Sequence, residues 1–357
     1  MRIGLKEVAA EAGVSRSTAS RALSGSPLIS AETRAAVEEA AARLNYRPNR
    51  LAGALRTRQS HLVGLVLNNL INASFHTIAE VVQRRAAAEG YQVMLGITDA
   101  DPAREKAFLL TLAAHGVDGI VMIGTGKNGA TTNALRAEGV AVVNVIRRPI
   151  DSAAPAVLAA DREGAHAATA HLLDLGHERI GFIGGEPTAN SGRERFAGYE
   201  QALRERGLDP DASLIERGPF TPAFGTEAIA RLLGRTPRMT ALFAANHEAV
   251  FGILPTLAST GVAIPGDLSL VCYEDIPWLR YWSPAITVVD NGASELGELA
   301  MNLLLHQLKQ TRGAENGETP NGRAYRVGAQ LILRDSTAPR ARGGDRPSGP
   351  TAAAVEA

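Results

Sequence analysis

The chain has 357 residues, 45% of them apolar and 21% charged, with 37 Lys and Arg against 37 Asp and Glu. At about 100–200 residues per domain this length allows two or three units, and the balance excludes a fibrous repeat or a chain disordered throughout. No apolar stretch reaches the ~18 residues of a membrane span, the charged N-terminus leaves no room for a signal peptide's apolar core, and the single cysteine, Cys272, excludes an intrachain disulfide, so a cytoplasmic protein is expected.

The zero net charge hides an asymmetry. Residues 1–60 hold ten basic against five acidic side chains, and the remainder 27 against 32. A small basic module on a larger acidic body suggests a polyanion-binding head. Leu5, Val8, Ala9 and Ala12 share one helical face and predict a helix over 5–12, ended by Gly13. Ser15 is a good N-cap for a second helix over 15–23, with Ala19, Ala22 and Leu23 on one face and Arg16, Ser17, Ser20, Arg21 and Ser24 on the other. Two helices joined by a short Gly-containing turn predict a helix-turn-helix, whose second helix shows its first residues to base edges in the major groove. A third helix follows Ser26 and Pro27, with Ser30 as N-cap and Val37, Ala40, Ala41 and Leu44 as its buried stripe. On these residues alone, a plain three-helix bundle with a solvated polar face stays open.

From His61 short β-rich runs alternate with helical stretches. Strands are predicted over 62–67, 91–97, 119–123 and 140–145, with helices near 75–89, 102–115 and 131–138. The pattern then repeats, with strands over 180–183, 242–245 and 268–272 and helices over 161–175, 193–206, 223–233 and 247–259. Such alternation predicts parallel sheets covered on both faces, and two such lobes would hold a ligand in the cleft beyond their strand ends. Gly124 to Gly129 is formally a GxGxxG, but it follows the third strand instead of the first, and Asp151 falls in a Pro-containing loop, so a flexible loop is the reading. The eight histidines lack metal-ligand spacing and no Ser-His-Asp set is supported, so neither cofactor nor metal is expected. The segment past about 338 is rich in Pro, Arg, Gly and Ala and is expected to be disordered, without leucine heptads.

The runs LKEVAAEAGVS (5–15), TASR (18–21), SAETR (30–34) and NYRPNRLA (45–52) resemble the headpiece of the lactose-repressor (LacI/GalR) family of bacterial transcription regulators. In the body, HLLDLGH (171–177), RIGFIGG (179–185), RFAGY (195–199), FAAN (243–246), IPGDLS (264–269), YED (273–275) and the run 331–336 resemble that family's effector-binding body. The likeness spans about nine tenths of the chain. It implies an all-α helix-turn-helix headpiece over 1–48, a hinge helix or linker over 49–60, and an α/β body over 61–338. That body would consist of two doubly wound parallel-sheet lobes, similar to periplasmic sugar-binding proteins. The resemblance places the N-lobe at about 61–158 and 291–320, the C-lobe at about 159–290 and 321–338, and a tail at 339–357.

By the same resemblance Arg16, Ser17 and Arg21 match base-reading positions, and Ser15, Thr18 and Ser20 neighbouring or phosphate-contacting ones. Arginine's fork suits guanine O6 and N7. Asn49, Arg50, Ala52 and Leu55 fall on the hinge, too short to be a stable helix alone, and Leu55 matches the leucine wedged into the minor groove. Gly4 stands where the family usually has a capping Thr or Ser, and Ala19 where Val is common. Among effector positions, Arg195 matches an arginine that grips a hydroxyl or carboxylate, Ser191 a polar contact, Phe220 a stacking aromatic, Asn246 a cleft asparagine and Phe75 a pocket-wall aromatic.

Departures from the family pattern point to a different ligand chemistry. Glu274 replaces an aspartate that often binds sugar hydroxyls, His247 replaces another, and Ile146 stands at a third common Asp position, followed by Arg147 and Arg148. If these arginines face the cleft and not solvent, the expected effector shifts toward a sugar acid, sugar phosphate or carboxylate. The expected function is a homodimeric repressor of a catabolic operon that binds a pseudo-palindromic double-stranded DNA operator and a small-molecule effector, without membrane attachment or catalysis. The alternatives are a small-molecule binding protein, which would lack the headpiece, and an enzyme on the same two-lobed fold, which would need a catalytic set not visible here.

Overall fold

The chain divides into two units, Met1–Ser60 and His61–Ala357. The computed structural model describes residues 3–24, 26, 28–46, 59–313 and 322–340, without the side chains of 311–313. The hinge residues Asn49, Arg50, Ala52 and Leu55 and the tail past 340 lie outside the described residues.

In the first unit, α1 (Leu5–Glu11), α2 (Arg16–Leu23) and α3 (Ala31–Arg43) surround a small core of Val8, Ala9, Ala19, Ala22, Val37, Ala40 and Ala41. Helix α1 begins at Gly4, which offers no capping hydroxyl; instead its N–H donates to the Glu7 carboxylate at 2.8 Å, placing an acid at the positive end of the helix. Gly13, at φ +66°, turns the chain between α1 and α2. Ser15 Oγ then accepts the Thr18 N–H at 3.1 Å, and Ser30 Oγ the Thr33 N–H at 3.2 Å, so both later helices start on hydroxyl caps.

In the second unit the chain runs β1 (Leu62–Leu67), α4 (Ala73–Ala88), β2 (Gln92–Ile97), α5 (Pro102–Ala114), β3 (Gly119–Met122), α6 (Gly129–Ala137), β4 (Ala141–Val145) and β5 (Ala156–Ala159). It repeats the pattern as α7 (Asp161–Asp174), β6 (Ile180–Gly185), α8 (Asn190–Glu205), β7 (Ile215–Gly218), α9 (Pro222–Leu233), β8 (Ala241–Ala244), α10 (His247–Ser259), β9 (Ser269–Tyr273), α11 (Pro277–Tyr281) and β10 (Thr287–Asp290). It ends with α12 (Ala293–Gly313), β11 (Ala324–Val327) and β12 (Gln330–Ile332). Two six-stranded sheets result, in the orders β2-β1-β3-β4-β5-β11 and β7-β6-β8-β9-β10-β12. Only β12 runs antiparallel to its neighbour among the paired strands described. The inner strands β3, β4, β8 and β9 are buried along their whole length, which is why they read as continuous apolar runs and not as alternating ones.

The lobes are discontinuous in sequence. The chain passes from the first to the second at Ala160, returns at Asn291 and Gly292 so that α12 packs on α4, and passes over again at Gly328. The last crossing corrects the boundary expected at 320–321: β11 pairs in parallel with β5, Tyr325 opposite Val157, and so belongs to the first lobe. Its burial alternates weakly on an edge strand, leaving no hydrophobic run for sequence reasoning to find. Among the described residues no helix is long and apolar enough to cross a membrane.

Candidate functional site

In the first unit, α2 carries an exposed basic face. On α2, Ser15, Arg16, Ser17 and Arg21 are exposed, Thr18 and Ser20 half-buried, and Ala19 and Ala22 turned into the core. Helix α2 contains no acid, and among the described residues neither Arg16 nor Arg21 is in an ion pair, whereas Arg43 on α3 is held by Glu11 and Glu39. Ser15 is committed to capping, and its Oγ also lies 2.8 Å from the hydroxyls of Ser17 and Thr18. The two arginine forks are therefore the charged groups of α2 available to an outside partner, beside its exposed hydroxyls, and bidentate acceptors suit them.

In the second unit, β4 and β9 hold the same fourth place in their sheets, and each is followed directly by a residue at positive φ: Ile146 at 62° and Glu274 at 80°. For β-branched Ile146 this is a genuine outlier, of order 1–3 kcal/mol. Both residues lie at the carboxyl ends of parallel strands, where an open α/β sheet forms its crevice.

At the centre of the second lobe is Arg195 of α8, only 2% exposed. Its Nε donates to Asp161 Oδ1 at 2.8 Å, Nη1 to the Ala245 carbonyl at 2.7 Å and Nη2 to Glu274 Oε1 at 3.3 Å. The guanidinium lies 3.8 Å from the centroid of the Tyr273 ring and 6.0 Å from that of Phe220. The other Glu274 oxygen meets His247 Nδ1. Burial pulls the Glu274 carboxyl up, but His247 and Arg195 outweigh it and hold the group at about 2. At Asp161 burial prevails over the pull of Arg195, and the carboxyl is raised. Asp161 starts α7 directly after the first crossing, so this network reaches the backbone where the lobes join.

The first lobe closes on this network through Asn72. Its Oδ1 caps α4 by accepting the N–H groups of Ser74 and Phe75, while Nδ2 donates to Glu248 at 2.9 Å and reaches Glu274 at 3.5 Å. The Ala73 N–H donates to His247 Nε2 at 3.4 Å. One capping asparagine thus ties together two buried acids of the opposite lobe.

The structure assembles Arg195, Glu274, Phe220 and Arg147 about this cleft, with Arg147 in electrostatic range of Arg195, Glu248, Glu274 and Glu105. Ser191 is buried in the first turn of α8. Asn246 caps α10, its Oδ1 accepting the Ala249 N–H at 2.9 Å. Phe75 packs in the first-lobe core with Ile78 and Val82. Asp161, Asn72, Glu248 and Tyr273 were not among the expected site residues. Asn72 carried a signal, an N-cap residue just past a strand, whereas Asp161 looked like any acid in a first helical turn.

The GxGxxG loop has an internal explanation. Fully buried Glu105 of α5 accepts the Thr125 N–H, the Thr125 hydroxyl at 3.1 Å and Asn128 Nδ2 at 2.8 Å. A carboxylate therefore takes the loop donor that a nucleotide phosphate would need, and its charge repels one. Among the described residues no group of three or more His, Cys, Asp or Glu is placed to hold a metal ion.

Comparison with known proteins bears on both units. The description "Bacterial regulatory proteins, lacI family" matches residues 4–49, and "Periplasmic binding protein-like domain" matches 169–337. The chain is 30% identical over 311 residues to the HTH-type transcriptional repressor PurR of Klebsiella pneumoniae (strain 342), covering 86% of this chain and 91% of that one. It is 30% identical over 307 residues to the ribose operon repressor of Escherichia coli (strain K12), covering 86% and 93%. Among solved structures, the lac repressor dimer bound to operator and the anti-inducer ONPF is similar with a TM-score of 0.81 at 25% identity, over 95% of this chain and 100% of that one. The transcriptional regulator CelR in complex with cellobiose gives a TM-score of 0.70 at 28% identity, over 94% and 100%.

Proposed function

Because the chain belongs to the LacI family of bacterial regulatory proteins, we propose that it is a cytoplasmic, homodimeric repressor, without catalytic activity, whose hold on DNA is set by a small molecule in the interlobe cleft. The observation that carries the reading is the acid-free face of α2, with Arg16 and Arg21 exposed and in no ion pair among the described residues. Arg16, Ser17 and Arg21 read bases, and Ser15, Thr18 and Ser20 fix the helix on the backbone. Two copies meet a pseudo-palindromic operator in successive major grooves, with Asn49, Arg50, Ala52 and Leu55 over the minor groove between them. The small molecule shifts the lobe arrangement by its differential affinity for two states, and DNA affinity follows by the same coupling free energy. The bonds from Asn72 to Glu248 and Glu274 are ones that a change in lobe arrangement must break or remake. Repression of a catabolic operon is supported by relatives named as repressors, one of them of the ribose operon.

Leu55→Ala is expected to reduce operator bending, read by fluorescence energy transfer across a doubly labelled duplex, and to weaken operator binding. Unchanged bending would remove Leu55 as the wedge.

A further inference from the structure

Resting on that reading of the cleft, we infer that the effector carries an oxyanion, a carboxylate or a phosphate, and that Arg147 is the residue that binds it. The geometry begins in the backbone. The Arg147 N–H donates to the Val145 carbonyl at 2.6 Å, two residues back, which closes a tight turn on Ile146 at φ 62°. The Ile146 side chain is buried in the first-lobe core and anchors this strained turn, so the backbone that carries Arg147 is held by packing and not left to a mobile loop. The following residue goes elsewhere: Arg148 Nη2 donates to the Ser152 carbonyl at 3.4 Å, within its own loop.

Arg147 is half-buried, in electrostatic range of a second cation, Arg195, and of Glu248, Glu274 and Glu105. Those acids are already engaged: Glu274 with Arg195 and His247, Glu248 with Asn72, and Glu105 with Thr125 and Asn128. Among the described residues the Arg147 guanidinium makes no hydrogen bond or ion pair, and its Nε is buried without a partner. Arginine does not escape such a position by losing its proton. A neutral polyol would leave the fork half satisfied, whereas a carboxylate or phosphate supplies paired oxygens in the matching plane. Arg195 cannot take this role without giving up Asp161, Ala245 or Glu274, so the anion falls to Arg147.

The test uses the full-length protein in chloride buffer at constant ionic strength. Inorganic phosphate, acetate, glucose, gluconate and glucose 6-phosphate are titrated by calorimetry and by thermal unfolding, on the wild type, Arg147→Met, Arg147→Lys and Arg148→Met. At least one oxyanion probe is expected to bind the wild type tenfold or more tighter than glucose. Arg147→Met should lose that affinity by at least tenfold, Arg147→Lys should lose part of it, and Arg148→Met should stay within twofold of wild type. The phosphate and carboxylate arms tell the two chemistries apart, and Arg147→Lys serves if the Met variant does not fold. Glucose binding as tightly as the anions, Arg147 variants binding them like wild type, or no oxyanion binding at all would overturn the assignment. If the same preparation still binds its operator, only the anion assignment falls; if it binds no specific DNA, the wider reading falls as well.

Discussion

Arg195→Met should lower the stability of the body by about 3–5 kcal/mol, the range found when one partner of a buried ion pair is removed. The size follows from what the guanidinium leaves behind. Asp161 and Glu274 are 1% and 4% exposed, and both accept from Arg195. Without it Glu274 still has His247, but Asp161 keeps no ion-pair partner among the described residues and must fold protonated. Asp161 is already raised by burial, and loss of the cation raises it further. A carboxyl whose folded pKa lies above its unfolded value contributes stability below the unfolded pKa and loses it as pH rises through the folded one. The deficit of the variant, measured by urea unfolding, should therefore be smaller near pH 4 than near pH 8. Adding Asp161→Asn should recover part of it at the higher pH. A deficit within 1 kcal/mol of zero at both pH values would show that Arg195 waits for a ligand and does not hold the lobe together.

The second large effect is on DNA. Arg21→Ala should cost about 1–3 kcal/mol on the selected operator and relax the preference at one base pair in each half-site. On random duplex at the same salt the loss should be small, since sequence-independent affinity comes from phosphate contacts. The prediction rests on an exposed guanidinium in the last turn of a helix whose other face is core. Equal losses on operator and random DNA would make Arg21 a phosphate contact.

Much of this was legible from residues. The hydroxyl caps Ser15 and Ser30 and the apolar faces of α1 to α3 followed from spacing, because helix starts depend on local chemistry. The strands β1, β3, β4, β8 and β9 were visible as apolar runs bounded by turn residues. The short strands β5, β7 and β10 to β12 were not: β7, β11 and β12 are edge strands with little burial and no continuous apolar run, and three or four residues alone carry no period. The same holds at the cleft. Arg195 and Glu274 stood out by motif, but Asp161 and Asn72 join them across 34 and 202 residues of sequence, a relation only the fold creates. That Arg147 comes within electrostatic range of Arg195, Glu248 and Glu274 was likewise not readable from the sequence, since those residues lie 48 to 127 positions further along the chain.

The central claim, a sequence-reading repressor governed by a small molecule, is tested most directly by selecting bound duplexes from a random pool. The purified full-length protein is used, alone and with a mixture of sugars, sugar acids and sugar phosphates. The account predicts an enriched pseudo-palindrome whose recovery changes when the mixture is present. No enriched sequence from a folded, dimeric preparation, with or without the mixture, would contradict it.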